Sequence, residues 1–144
     1  MNIARDIRVE IADWKRDQAS LRAIREAVFV IEQHVPPALE WDGIDSSCTH
    51  VLAYVNRDTP VGTGRLLPDG HIGRMAVLRS WRGLGIGSRL LRKLIEVATA
   101  KEMKDIILNA QTHAVRFYER HGFVAEGSEF ADAGIAHRRM VLRR

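Results

Sequence analysis

The chain has 144 residues, with 22 Lys and Arg against 18 Asp and Glu for a formal net charge of +4, and its side chains are 46% hydrophobic and 28% charged. That balance suits a globular domain able to bury its own core, and no apolar run approaches the roughly 20 residues a membrane helix needs. The single cysteine, Cys48, excludes an internal disulfide, and residues 1–10 lack the apolar core of a secretory leader, so the expectation is one domain over residues 1–144 working in the cytoplasm.

Residues 7–12 alternate weakly as a strand, Asp13 is an N-cap candidate, and Leu21, Ile24, Val28 and Ile31 recur at helical spacing. Pro36 and Pro37 stop any helix, and residues 41–47 read as an ordered loop that carries Asp42 and Asp45. With Glu32 and Glu40, these acids gather in the first third of the chain and predict a cationic partner. Residues 50–55 and 61–67 are two strands, and Pro68-Asp69-Gly70 turns the chain into a third over 71–77, so an antiparallel meander follows.

Arg82-Gly83-Leu84-Gly85-Ile86-Gly87 comes next, directly before a helix whose apolar face is Ile86, Leu90, Leu91, Leu94, Val97 and Ala98. Glycines at 83, 85 and 87 let successive amides turn toward one point, and the helix start adds its unpaired N–H groups and dipole. With Arg82 at its mouth, the turn reads as a pyrophosphate cradle. Arg74, Arg79, Arg89, Arg92 and Lys93 crowd the same stretch and suit an anionic ligand. A Walker A loop would need a lysine where Ser88 stands, and the dinucleotide fingerprint would need a third glycine there, so both fail.

Residues 106–108 form a short apolar run of the kind buried on both faces, and reaching it from strand 71–77 through a helix makes a parallel crossover. Residues 114–121 form a short helix stopped by Gly122, and 123–130 pair antiparallel with 137–142. The basic tail Arg138, Arg139, Arg143 and Arg144 alternates with Met140 and Leu142, which reads as an edge strand guarded by charge rather than a nucleic-acid surface. The histidines and carboxylates lack the short spacing of a metal site, so no metal is expected.

This order of a meander, a glycine-turn helix, a parallel strand and then Phe117-Tyr118-Glu119-Arg120-His121-Gly122-Phe123 resembles the GNAT superfamily of N-acetyltransferases. Residues 28–33, the acidic loop, His50 and the segments Glu129-Phe130 and Gly134-Ile135-Ala136-His137 are similar to its ElaA-like branch. The resemblance implies an α/β fold with a mixed sheet of about six to seven mostly antiparallel strands, a central parallel pair of strands four and five, and flanking helices. It implies acetyl-CoA as cofactor, with Arg82, Gly83, Leu84, Gly85, Ile86, Gly87 and Ser88 at the pyrophosphate. Met75, Ala76 and Val77 then face the pantetheine arm, and Asn109, Ala114, Phe117 and Tyr118 lie along the cofactor. A homodimer is common among similar proteins.

Acyl transfer to a primary amine of a small molecule or peptide needs a free amine lone pair, a stabilised oxyanion and a proton for the departing thiolate. A backbone N–H near Val77 serves the oxyanion. Tyr118 is the candidate acid, its alternative being a packed aromatic with no chemical role. Glu32 is the first candidate base and His137 the second, with Asp42, Asp45 and His50 as further groups for the acceptor. The rival expectation is a non-catalytic CoA-sensing or RNA-contacting module on the same fold.

Overall fold

The computed structural model describes residues 6–143; the expectations for residues 1–5 and for Arg144 lie outside them. Its strands are β1 (Arg8–Ala12), β2 (Thr49–Val55), β3 (Thr59–Leu66), β4 (His71–Val77), β5 (Asp105–Gln111), β6 (Val124–Asp132) and β7 (Ile135–Arg143). They form one sheet in the order β1-β2-β3-β4-β5-β7-β6. Among the described residues only β4 and β5 run parallel; every other neighbouring pair is antiparallel. The helices are α1 (Trp14–Arg25), α2 (Pro37–Glu40), α3 (Ile86–Ala100) and α4 (Val115–Glu119).

Alternation along the strands sends side chains to two faces, and a helix covers each. On one, α3 buries Ile86, Leu90, Leu91, Leu94 and Ala98 with Val51, Ala53 and Val61 of the sheet. Gly62 and Gly64 let it settle: a Cβ there would come within 2.9 Å and 2.8 Å of Leu90 and Leu94. Truncating either leucine to alanine costs about 2–5 kcal/mol. On the other face, Leu21, Ile24, Val28 and Phe29 pack with Leu52 and Ala76.

Asp13 caps α1 by accepting the N–H of Arg16 at 2.8 Å. Beyond Arg25 the helix widens into a π-helix over Glu26–Glu32, where the Gln33 N–H donates to the Val28 carbonyl five residues back at 3.1 Å. The wider turn shifts the helical phase. Ile31, expected on the buried face with Val28, is therefore 65% exposed, and Glu32 and Gln33 turn to the sheet instead. The helix has already stopped at Gln33, with His34 at φ +61°, and Pro37 then opens α2 at its first position, where a missing N–H costs nothing.

The basic tail departs from expectation in a second way. β7 is not an edge strand: it lies between β5 and β6, pairing with β5 from Asp105↔Arg143 to Gln111↔His137. The reason is the hairpin's direction, which leaves β6 outside. Arg143 and Arg139 point to Glu126 of β6 at 2.7 Å and 4.0 Å, so their charge is spent across the hairpin.

Candidate active site

β4 and β5 hold together over only two residue pairs, His71↔Ile107 and Ile72↔Leu108. Past them β4 stays with β3 and β5 stays with β7, so residues 73–77 present a strand edge without a strand partner. A cleft of about 1140 Å³ opens at this fork. It is lined by Met75, Ala76, Val77, Arg82, Gly83, Gly85, Ile86, Gly87, Ser88, Asn109, Ala114, Phe117 and Tyr118, which the sequence singled out, and by Glu32, Asp42 and His137.

The turn from β4 into α3 carries Gly83 at φ +81° and Gly85 at φ +78°, the latter the N-cap of α3 without any side-chain cap. No heavy atom lies within 4 Å of a Cβ built on either. The glycines answer to backbone conformation, not crowding, and the first amides of α3 stay open to the cleft. Gly87 is different, since its Cβ would sit 3.5 Å from Phe117, which brings α4 against the helix start. Ser88 Oγ and His121 Nε2 are 3.1 Å apart, a second tie between these elements. Leu84 is 39% exposed and does not line the cleft, so of this residue only the backbone belongs to the cradle.

Tyr118 is 9% exposed, edge-on to Phe117 and Phe123 with ring centroids 5.0 Å and 6.0 Å away. Its hydroxyl makes no hydrogen bond among the described residues, and burial pushes its pKa up to about 12. The phenol keeps its proton across the whole physiological range.

A forked sheet, an uncapped helix start aimed into the fork and a buried tyrosine opposite it stand in one cleft, and residues 11–144 match the family described as Acetyltransferase (GNAT) domain. The chain belongs to the GNAT acetyltransferase family. It is 41% identical over 122 residues to the uncharacterized N-acetyltransferase YjcF of Bacillus subtilis, covering 82% of this chain and 86% of that one. It is 32% identical to the Escherichia coli protein ElaA over 126 residues, covering 82% of each. The crystal structure of E. coli ElaA superposes with a TM-score of 0.83 at 28% identity, over 94% of this chain and 98% of that one. An acyl-CoA N-acyltransferase from Pseudomonas aeruginosa superposes at 0.81 and 26% identity, over 94% and 98%. As a GNAT member the protein is an acyltransferase that draws on an acyl-CoA donor.

In this GNAT cleft the acceptor side differs most from the reading of the sequence. Glu32 is not a free base: Arg82 Nη1 and Nη2 donate to its two carboxylate oxygens at 2.7 Å and 2.8 Å, and that guanidinium holds its carboxyl below the usual range. Two residues assigned to opposite ends of the chemistry are therefore partners. The neighbouring Gln33 bonds across the fork to Gln111 of β5, amide to amide at 2.8 Å. The end of the π-helix thus straps β4's turn to β5.

Asp45 and His50 are withdrawn from the cleft altogether. Asp45 is buried between Arg25 Nη1 at 2.7 Å and Arg65 Nη1 at 2.8 Å. His50, 1% exposed, stacks on Trp14 at 5.0 Å and sits 2.8 Å from the Asp45 carbonyl, with burial lowering its pKa. Asp42 does line the cleft, but Arg65 grips both its oxygens and holds its pKa at about 2. Glu40, also buried, accepts from Arg25 Nε at 2.7 Å. Arginines supplied by α1, β3 and β4 neutralise the acidic loop, so it holds no surplus negative charge for a cationic acceptor. Arg74, grouped by sequence with the phosphate-side cations, belongs to this network, 3.1 Å from Glu40 Oε2.

His137 remains. Its Nδ1 lies 2.7 Å from the Ile135 carbonyl, and because a carbonyl only accepts, Nδ1 is the donor there and Nε2 is left without a protein partner among the described residues. The ring stacks on Phe130 at 5.9 Å and lines the cleft. Arg25, Arg65, Gln33 and Gln111 were missed as site-forming residues. The available signal was a charge inside an apolar strand, Arg65 in β3 and Arg74 in β4, because such a charge demands a buried partner.

Proposed function

We propose that the protein transfers an acetyl group from acetyl-CoA directly to a primary amine, with His137 as base and Tyr118 as proton donor. The observation that carries this reading is the fork itself, which presents the unpaired edge of β4, the uncapped start of α3 and the Tyr118 hydroxyl to one cleft. Coenzyme A fits these residues: amides freed by positive-φ glycines suit a diphosphate, and a free strand edge suits the amide groups of its arm. When bound, the cofactor supplies an activated thioester.

The backbone N–H groups at the edge of β4 stabilise the charge that develops on the thioester oxygen, where removing one such donor typically costs about 10²–10³ in rate. His137 Nε2 accepts the proton of the incoming amine. Tyr118 donates toward the departing sulfur. A phenol at about 12 is a weaker acid than a free thiol at about 8.5, but the same dry surroundings raise the sulfur's proton affinity as well, so the donor stabilises charge more than it delivers a free proton. Glu32 takes a different part from the base expected of it. It holds Arg82 until a diphosphate competes for the guanidinium, and the cofactor therefore has to displace a carboxylate.

Thiol release from acetyl-CoA, followed across a panel of primary amines for the wild type and Tyr118→Phe, tests the proposal. The expected result is turnover with at least one amine, reduced roughly 10- to 100-fold in kcat by the substitution, while coenzyme A affinity stays within twofold. A protein that binds coenzyme A and releases no thiol with any amine overturns it.

A further inference from the structure

The end of the cleft away from the glycine turn contains a cationic group that the acyl-transfer chemistry leaves unused. Arg65 pairs in register with Gly73 and Thr63 with Ala76, so β4 spends three steps where β3 spends two. The extra residue makes a bulge, and Arg74 lies in it at φ +52°. A side-chain-bearing residue in the left-handed region is strained, and bulges serve to re-aim a side chain. Here the bulge sets an arginine into the cleft, directly before the stretch Met75–Val77 that faces the cofactor.

The hydrogen bonds of this arginine are one-sided. Nη2 donates to the carbonyls of Leu39 and Glu40 at 3.2 Å and 3.1 Å and to Asp42 Oδ2 at 3.3 Å, all on the α2 side. Nε is buried, and although Glu40 Oε2 is 3.1 Å away, its N–H is not directed there and finds no acceptor. Nη1 has no partner among the described residues, and the side chain is 25% exposed. Glu40, Asp42 and Asp45 face three guanidiniums, those of Arg25, Arg65 and Arg74, so the cluster is neutral with Arg74 counted in, and what Arg74 keeps spare is donor capacity at Nη1.

Across the cleft the β6–β7 turn presents Asp132, which is exposed and unpaired among the described residues, and then His137. One end of an acceptor thus meets an unsatisfied guanidinium edge and the other a carboxylate and an imidazole. We infer that the acceptor is a small zwitterion, an amine that also carries a carboxylate, with Arg74 as the residue that binds the carboxylate. This rests on the reading that the cleft acylates an amine, and it replaces the cationic acceptor that the acid-rich loop suggested.

The experiment uses matched triplets built on one carbon skeleton: an amino acid, its carboxamide and its decarboxylated amine, for small, aromatic and acidic side chains. Each is assayed for kcat/KM with acetyl-CoA, and for contact with the coenzyme A-loaded protein by ligand-observed NMR. The expected result is a preference for the carboxylate member of about 10- to 100-fold, the worth of a charge-assisted hydrogen bond. Arg74→Gln should shrink that ratio to within about twofold, and Arg74→Lys, which keeps the charge but not the fork, should restore part of it. If Arg74→Gln does not fold, by its melting curve, the lysine variant decides alone. Equal or better use of the carboxamide or plain amine by the wild type overturns the inference, as does an unchanged ratio in both variants. A protein that turns over no amine yet retains amino acids over their amides in the NMR measurement keeps the inference and loses the catalytic reading; one that retains neither loses both.

Discussion

At the β4–α3 turn the cleft meets main-chain amides shaped by Gly83 and Gly85 with the side chains of Arg82 and Ser88 beside them, all from one short stretch, whereas at the opposite end it meets side chains brought together from α2 and the loop after it, β3, β4 and the β6–β7 hairpin, backed by Arg25 of α1. The first end depends on one backbone path. The second is a mutual lock of three guanidiniums and three carboxylates, in which moving one member leaves another unmatched in a dry place. One end is thus local and robust, and the other is distributed and brittle.

The contrast can be broken most forcefully at Arg25, which is 1% exposed and ties Glu40 to Asp45. Arg25→Met should cost about 3–5 kcal/mol of stability by leaving buried carboxylates short of a partner, read from the denaturant midpoint; a change under 1 kcal/mol would mean the lock carries little. Next in size, His137→Gln should lower kcat/KM about 100-fold. A loss under threefold assigns the base elsewhere.

Gly85→Ala addresses the other end. Its Cβ meets nothing, so only the φ of +78° resists it. That strain, about 1–2 kcal/mol, should weaken coenzyme A binding roughly tenfold by calorimetry while leaving acceptor selectivity unaltered. The smallest effect is expected at the tie between the two ends. Glu32→Gln frees Arg82 from a partly exposed pair worth at most about 1 kcal/mol, so coenzyme A should bind up to about fivefold tighter. Weaker binding in that variant would show the pair to be a support of the site and not its competitor.

The same contrast explains what could be read before any coordinates. The glycine turn was legible because its determinants are adjacent in the chain: φ > 0 positions, a following apolar helix and a preceding strand all fall between His71 and Ala100. The meander and the parallel crossover followed from equally local patterns, whereas Tyr118 was singled out through the family resemblance. The acceptor end was not legible, since Glu40, Asp42 and Asp45 read as free acids until Arg25 and Arg65 are known to reach them from distant segments. Ile31 was misplaced for a subtler reason. Apolar spacing assumes 3.6 residues per turn, and nothing in residues 26–32 announces that the helix departs from it.

That departure leaves slack in the chain. The wide coil holds one residue more than an ordinary helix needs to cover the same arc, so removing a residue between Glu26 and Glu32 would let the segment tighten while Glu32 and Gln33 keep their places beside Arg82 and Gln111. A change of length at this one coil is absorbed where it arises.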